Sequence, residues 1–163
     1  MRITAFSLLM IFFMMACTSN TRVEKNISTT VSGEMLFTGP NSLQAPVSNS
    51  ASALAEELNI DVADLSSIGV SAIEVSLLEE QAGIAESLLL QIVSNNNEMM
   101  TLGTLSPLEG GTSFELKVAE ETNLLPYMKD QGATWVLDVN LSEDIMDEMQ
   151  AIVDLTLTIT HKN

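Results

Sequence analysis

The chain has 163 residues, with 22 acidic against six basic side chains, a net charge of −16, and one cysteine, Cys17. A surface this acidic repels phosphate backbones and therefore excludes a nucleic-acid-binding protein, while a single thiol excludes an internal disulfide. The apolar fraction of 46% supports one packed domain and argues against a disordered chain.

The first 16 residues have the pattern of a secretory signal peptide. Arg2 provides the positive start, residues 3–15 are apolar, and a small residue, Ala16, precedes Cys17. An apolar run of this length is too short to span a membrane as a helix. The sequence MMAC that ends at Cys17 resembles the lipobox of bacterial lipoproteins, whose signal peptide is cut before a cysteine that then carries lipid.

The resemblance implies that Cys17 carries a diacylglycerol thioether and an acylated amine, and two or more acyl chains hold a protein stably at a membrane. Position 18 is Thr18 and not an aspartate, which favours the outer over the inner membrane of a cell envelope. The alternative is an ordinary secretory leader in which Cys17 has no special role.

The polar segment that follows has no hydrophobic period, so we predict a lipidated cysteine and flexible tether over residues 17–30 and one domain over residues 31–163. Within that domain, residues 31–38 are predicted as a first strand and residues 41–52 as a Ser/Asn-rich loop. Apolar residues four apart predict a short helix over residues 51–58.

Alternation of apolar and polar residues predicts a series of strands in the rest of the chain. The triplet Asn95-Asn96-Asn97 is typical of a hairpin turn, whereas Pro126 forbids a central strand and favours a helical turn over residues 124–129. The predicted strands cover residues 70–77, 87–92, 99–105, 114–118, 134–141 and 151–160.

Short strands separated by turn signals predict an all-β fold, specifically an antiparallel immunoglobulin-like β-sandwich with one or two short helical turns. The C-terminal half resembles uncharacterised envelope lipoproteins whose sandwich ends in a Leu-x-x-Tyr turn and two strands. Here these elements are residues 124–127, 134–141 and 151–160. That resemblance implies no known activity.

Residues suited to catalysis are few. His161 is the only histidine and lies on the predicted apolar face of the last strand, at an end that we expect to fray and be half-exposed. Without a second histidine or a free thiol, a zinc hydrolase lacks ligands. Neighbouring carboxylates on a strand point to opposite faces, so the acidic doublets do not form the facing pair of a glycosidase. We predict no catalytic residue and no cofactor.

An acidic segment near the C-terminus is the candidate metal site. Residues 138–148 begin like an EF-hand, but Glu143 replaces the required glycine and Met149 replaces the bidentate glutamate. The alternative is an acidic loop or one helical turn capped by Ser142. The candidates for a looser calcium site are Glu143, Asp144, Asp147 and Glu148.

The sequence therefore predicts a membrane-tethered, non-enzymatic lipoprotein of a cell envelope that binds an envelope protein or a glycan. The binding surface is expected at sheet edges or at the loops near residues 41–52, 95–98 and 142–150. The alternatives are a carboxylate-based, glycosidase-like hydrolase and a calcium-binding, adhesin-like module. Five methionines are expected to fill the core: Met99, Met100, Met128, Met146 and Met149.

Overall fold

The computed structural model describes residues 19–162, so the predicted signal peptide and Cys17 lie outside the described residues. The described strands are β1 (Asn20–Gly33), β2 (Gly39–Pro46), β3 (Leu65–Leu77), β4 (Ala85–Val93), β5 (Met100–Leu105), β6 (Ser113–Glu115), β7 (Lys117–Val118), β8 (Thr134–Leu141) and β9 (Met149–Lys162). The helical segments are α1 (Ala51–Leu58), a 3₁₀ turn (Val62–Asp64), α2 (Glu79–Ala82) and α3 (Leu125–Met128).

The strands form one antiparallel sheet in the order β6-β3-β9-β1-β2-β8-β4-β5-β7. The two end strands, β6 and β7, are separated only by Leu116, so one short segment touches both ends of the sheet. The Leu116 N–H donates to the Ile73 carbonyl of β3 at 3.0 Å, and the Ala119 N–H donates to the Leu102 carbonyl of β5 at 2.7 Å. The sheet is therefore nearly closed on itself.

The longest contact in the sheet is made by β1 with β9, which pair at every position from Asn20↔Lys162 to Gly33↔Met149. The prediction of a flexible tether is therefore wrong for residues 20–30. The segment is polar because one face of β1 is in water, while its other face contributes Ile27 and Val31 to the core. A long partner strand supplies the backbone hydrogen bonds that local propensity does not reveal.

On its other side, β1 pairs with β2 only at Ser32↔Gln44, so most of β1 has no strand neighbour there. The ion pair between Lys25 of β1 and Glu57 of α1 ties the helix to this strand. A charged side chain and a covering helix are common protections of a strand edge against pairing with other chains.

Helix α1 confirms the short helix predicted over residues 51–58. The Ser50 hydroxyl caps it by accepting from the Ala53 N–H at 3.2 Å, and Ala51, Leu54 and Ala55 are buried. The preceding loop prediction is wrong for residues 41–46, because β2 pairs with β8 from Gly39↔Leu141 to Pro46↔Thr134. The polar residues Ser42 and Gln44 lie on the exposed face of β2.

The core is the interior of the sheet. Strand β9 alternates strictly, with Val153, Leu155, Leu157 and Ile159 buried and Asp154 exposed, as its sequence predicts. Trp135 and Leu137 of β8 are almost fully buried in the same core. The predicted hairpin around residues 95–97 is confirmed by the antiparallel pairing of β4 with β5.

The prediction of an antiparallel all-β fold with few helical turns is confirmed. The predicted immunoglobulin-like sandwich is not confirmed, because the nine strands among residues 19–162 all belong to one continuous, nearly closed sheet. The helical turn predicted around Pro126 is α3, where the Tyr127 hydroxyl donates to the Glu98 carbonyl in the β4–β5 turn. Burial raises the pKa of the Tyr127 phenol, and the nearby Glu98 charge adds to this rise.

Candidate functional site

The strand register divides the domain into two ends. At one end the described termini meet, since Asn20 pairs with Lys162; this is the terminal end. At the other, Gly33 pairs with Met149, Gly39 and Ala85 both pair with Leu141, and Leu77 pairs with Ala151. The loops of residues 34–38, 78–84, 106–112 and 142–148 therefore share this second end, which we call the distal end.

Two of the distal loops are joined by backbone hydrogen bonds. The Leu36 N–H donates to the Ile145 carbonyl at 2.9 Å, and the Ile145 N–H donates to the Leu36 carbonyl at 2.8 Å. Leu36 is buried and Ile145 is half-buried against the core. This bridge fixes both loops on the end of the sheet, so the residues beside it have defined positions.

Asp144 strengthens the same connection. Its carboxylate accepts from the Thr38 N–H at 2.7 Å and from the Thr38 hydroxyl at 2.8 Å. These two bonds, the backbone one first, lower the pKa of Asp144, because they favour the charged form of the carboxyl group. Asp144 therefore acts as a loop clamp that stays ionised.

Four large apolar side chains point outward at the distal end. Met35, Leu78 and Met146 are each 64% exposed and Phe37 is 56% exposed; we call these four residues the distal patch. Met35 also has a left-handed backbone, with a φ of 54°, which costs free energy for a residue other than glycine.

A groove of about 410 Å³ lies beside the distal patch, between α2 and the loop of residues 142–148. Its apolar surface is formed by Leu78, Ile84, Ile145 and Met146. Its lining also includes the carboxylates of Glu80, Asp144, Asp147 and Glu148. Gln81 also lines it, with its amide nitrogen 3.4 Å from the Glu148 carbonyl. Within residues 19–162, the buried oxygen of the Gln81 side chain has no hydrogen-bond donor.

Charge is distributed unequally between the two ends. Loops 34–38, 78–84 and 142–148 contain seven carboxylates and no lysine or arginine: Glu34, Glu79, Glu80, Glu143, Asp144, Asp147 and Glu148. The terminal end is acidic too, but it carries Arg22, Lys129 and Lys162. The distal end therefore combines exposed apolar side chains with negative charge that no basic residue of its loops neutralises.

The calcium candidates Glu143, Asp144, Asp147 and Glu148 all lie in one distal loop, and the side chain of Asp144 is engaged by Thr38. Within residues 19–162, no three His, Cys, Asp or Glu side chains are grouped closely enough to hold a metal ion. The predicted calcium site therefore has no assembled ligand set among the described residues.

His161 lies at the terminal end, opposite Thr21 of β1 and Leu65 of β3. It is only 8% exposed, so the expectation of a fraying, half-exposed residue is wrong; pairing on both sides buries it. The distal carboxylates are at the other end of the sheet. The fold therefore does not bring the one histidine together with the acidic loop.

Sequence reasoning identified the loop near residues 142–150 but missed its apolar part. The loop near residues 95–98 lies at the terminal end and so does not join the same surface. Core filling is confirmed for Met128 and Met149 but is wrong for Met146 and Met99, which are 64% and 56% exposed. Met35 and Phe37 fall in the strand predicted over residues 31–38, but β1 ends at Gly33 and both residues lie in the loop that follows.

No known family model matches the chain, and no curated protein matches it. Among solved structures, Desmodium yellow mottle tymovirus is 12% identical, with 99% of this chain and 97% of that chain covered and a TM-score of 0.34. The empty head of turnip yellow mosaic virus is also 12% identical, covering 100% and 91% at a TM-score of 0.28. A further turnip yellow mosaic virus structure is 12% identical, covering 86% and 96% at 0.25. TM-scores this low support no conclusion about the fold or the function of this chain.

Among residues 19–162, no helix has both the length and the apolar character needed to cross a membrane.

Proposed function

We propose that the chain is a non-enzymatic lipoprotein of a bacterial cell envelope, held at a membrane by lipid on Cys17, and that its β-domain binds a partner protein. The sequence MMAC that ends at Cys17 supports the lipid attachment, and the position of β1 determines how that lipid would orient the domain. This strand begins at Asn20, three residues after Cys17, and it begins at the terminal end. Lipid on Cys17 would therefore hold the terminal end at the bilayer.

This arrangement directs the distal end away from the membrane. Strand β1 has 14 residues, and a strand rises about 3.3 Å per residue, so the distal loops lie roughly 40 Å from the attachment point. Because the structured domain begins so close to Cys17, the lipid restricts the domain far more than a long tether would. The distal loops are then the part best placed to reach a partner.

The exposed side chains favour a protein over a glycan as that partner. Glycan sites commonly stack sugar rings on exposed aromatic side chains, but Phe114, Tyr127 and Trp135 are buried here. Phe37 is the one aromatic residue exposed among residues 19–162. Methionine and phenylalanine are enriched in protein–protein interfaces, so the distal patch is better suited to a protein.

The lipoprotein proposal is tested by labelling cells with a palmitate analogue. Cys17→Ser is expected to abolish labelling and to move the protein from the membrane to the soluble fraction, while Thr18→Ser, the matched control, keeps both. Thr18→Asp is expected to move the protein from the outer to the inner membrane. Labelling that persists in Cys17→Ser would contradict the proposal.

A further inference from the structure

We propose that the distal end binds a cationic amphipathic segment of a partner protein, with apolar side chains against the distal patch and Lys or Arg side chains among the surrounding carboxylates. The inference deepens the proposed function and rests on it, because it names the chemical class of the partner. It is carried by the apolar side chains, the groove and the charge of one end of the sheet.

The apolar contact would form on a continuous part of the distal patch. Leu78 and Met146 line the same groove, whose walls also include Ile84 and Ile145. Met35 and Met146 each follow or precede a residue of the antiparallel bridge Leu36↔Ile145, which holds their two loops together. Methionine is flexible and adapts to differently shaped apolar partners, so this surface suits insertion of aliphatic side chains.

The polar contact would form around the same groove. Glu80, Asp147 and Glu148 line it, and Asp144 is held ionised by Thr38. Lysine and arginine side chains are positively charged donors without acceptors, so they match the carboxylates around the groove.

Charge complementarity decides between the occupants of this surface. A second copy of the chain would bring another seven carboxylates against the seven already present in these loops. Anionic lipid headgroups and nucleic acids would be repelled in the same way. A cationic partner relieves this repulsion while covering the exposed apolar side chains, so it is the occupant to which we commit.

The test uses the full chain in non-ionic detergent micelles and two immobilised synthetic peptides at physiological salt. One peptide carries leucine and lysine at helical spacing, and the other has serine in place of every leucine with the same charge. Empty micelles provide the blank. The wild-type chain is expected to bind the leucine peptide about tenfold more tightly than the serine peptide.

Two pairs of substitutions examine the two contacts separately. Met35→Ser with Met146→Ser is expected to weaken binding of the leucine peptide about tenfold while leaving binding of the serine peptide within about twofold. The control for this pair is Met99→Ser, which removes a methionine of similar exposure at the terminal end and should change binding less than about twofold.

The second pair is Glu80→Gln with Asp147→Asn, expected to weaken binding of both peptides. Its control, Glu56→Gln with Glu120→Gln, removes the same charge outside the distal loops and should change the logarithm of the affinity by less than half as much. Equal losses from both pairs would overturn the proposal, since they would show attraction by total charge alone. Equal affinity for the two peptides would overturn it as well.

Sedimentation of the wild-type chain tests whether a second copy of the chain occupies this surface instead. A dimer that Met35→Ser with Met146→Ser converts to a monomer would assign the surface to a second copy and overturn the proposal. Peptide binding needs no lipid on Cys17, so these measurements and the palmitate labelling fail independently. If wild-type cells show no palmitate labelling, the lipoprotein proposal is refuted. If the wild-type chain binds neither peptide, only the proposal of a cationic partner is refuted.

Discussion

Replacing Gly103 with alanine tests the closure of the sheet between β3 and β5. A Cβ atom at this position would lie 2.7 Å from Ile73 Cδ1, 3.2 Å from the Lys117 carbonyl oxygen and 3.3 Å from Leu116 Cβ. The first distance is shorter than a normal carbon–carbon contact, and the second involves backbone that moves only with the strand. Gly103→Ala therefore requires the buried Ile73 side chain to shift, together with a small shift of the segment that closes the sheet.

The magnitude follows from two opposing effects. Alanine reduces the freedom of the unfolded chain, which stabilises a protein by about 0.4–1 kcal/mol where the conformation allows it. Overpacking a buried site costs about 1–3 kcal/mol, so Gly103→Ala should lower the free energy of unfolding by about 1–2 kcal/mol. Ile73→Val alone should cost about 0.5–1.5 kcal/mol, because it removes the Cδ1 methyl from the core.

The two changes are expected to be coupled. Because Ile73→Val removes the atom that the new Cβ would meet, the double variant should be more stable than the sum of the single effects by about 1 kcal/mol. Gly83→Ala is the matched control, since the nearest atom to its new Cβ is an ordinary 3.7 Å away. That variant should be unchanged or slightly more stable.

Urea unfolding measures these effects through the fluorescence of Trp135, the one tryptophan in the chain, which is 1% exposed in the core. If the slope of the free energy of unfolding against urea concentration is the same for all variants, they unfold from the same compact state. Full stability of Gly103→Ala, or strict additivity in the double variant, would refute the close approach of β5 to Ile73.

Four further predictions concern other parts of the domain. The lowered pKa of Asp144 means that its contribution to stability is complete above the unfolded value of 3.8 and disappears as the pH falls through the lower folded value. The difference in urea midpoint between wild type and Asp144→Ala should therefore shrink below about pH 4. A difference that stays constant down to about pH 2 would contradict the role of Asp144 as a loop clamp. The phenolate absorbance of Tyr127, the one tyrosine, should show a midpoint above 10.0 in the folded chain and near it in urea, because burial raises this pKa; equal midpoints would place the phenol in water. Deleting residues 18–30 should abolish cooperative unfolding, because it removes most of β1 from beside β9, whereas a tether would be dispensable. Millimolar Ca²⁺ should leave the melting temperature nearly unchanged, and a rise of several degrees would show ligands that assemble around the ion.

The local sequence pattern predicted an element correctly where the backbone geometry and burial of that element depend mainly on its own residues. Strand β9 alternates apolar and polar residues without interruption, and α1 has a capping serine with apolar residues three and four apart. Pro126 also indicated α3 correctly, since a missing N–H is tolerated in the first turn of a helix. In these elements the side-chain period and the backbone geometry follow from residues close together in the chain.

The pattern failed where a distant strand decides the structure. Residues 20–30 look like a tether because just one of their faces is buried and their inward row includes Lys25 and threonines. Pairing with β9, more than 120 residues later in the chain, makes them a strand. Likewise, His161 is buried because strands lie on both sides of it, which its position near the C-terminus conceals.

Part of the candidate site was also predictable from the sequence, and part of it depends on the tertiary structure. The acidic character of residues 142–148 is visible in the sequence, and so is the lack of basic residues between Lys25 and Lys117. The distal patch is not visible, because Met35, Leu78 and Met146 belong to three separate loops. Only the strand register brings these loops to one end of the sheet, and only the bridge between Leu36 and Ile145 turns their neighbours outward.

The sequence by itself determined the charge, the strand-forming alternation and the resemblance of its leader to that of a lipoprotein, because each of these depends on residue identity over short spans. The tertiary structure alone decided that the sheet nearly closes and that the chain enters at the end opposite the distal patch. It also decided that this patch lies among seven carboxylates. The reason is physical: strand pairing joins residues far apart in the chain, and its free energy depends on a partner that local sequence does not contain.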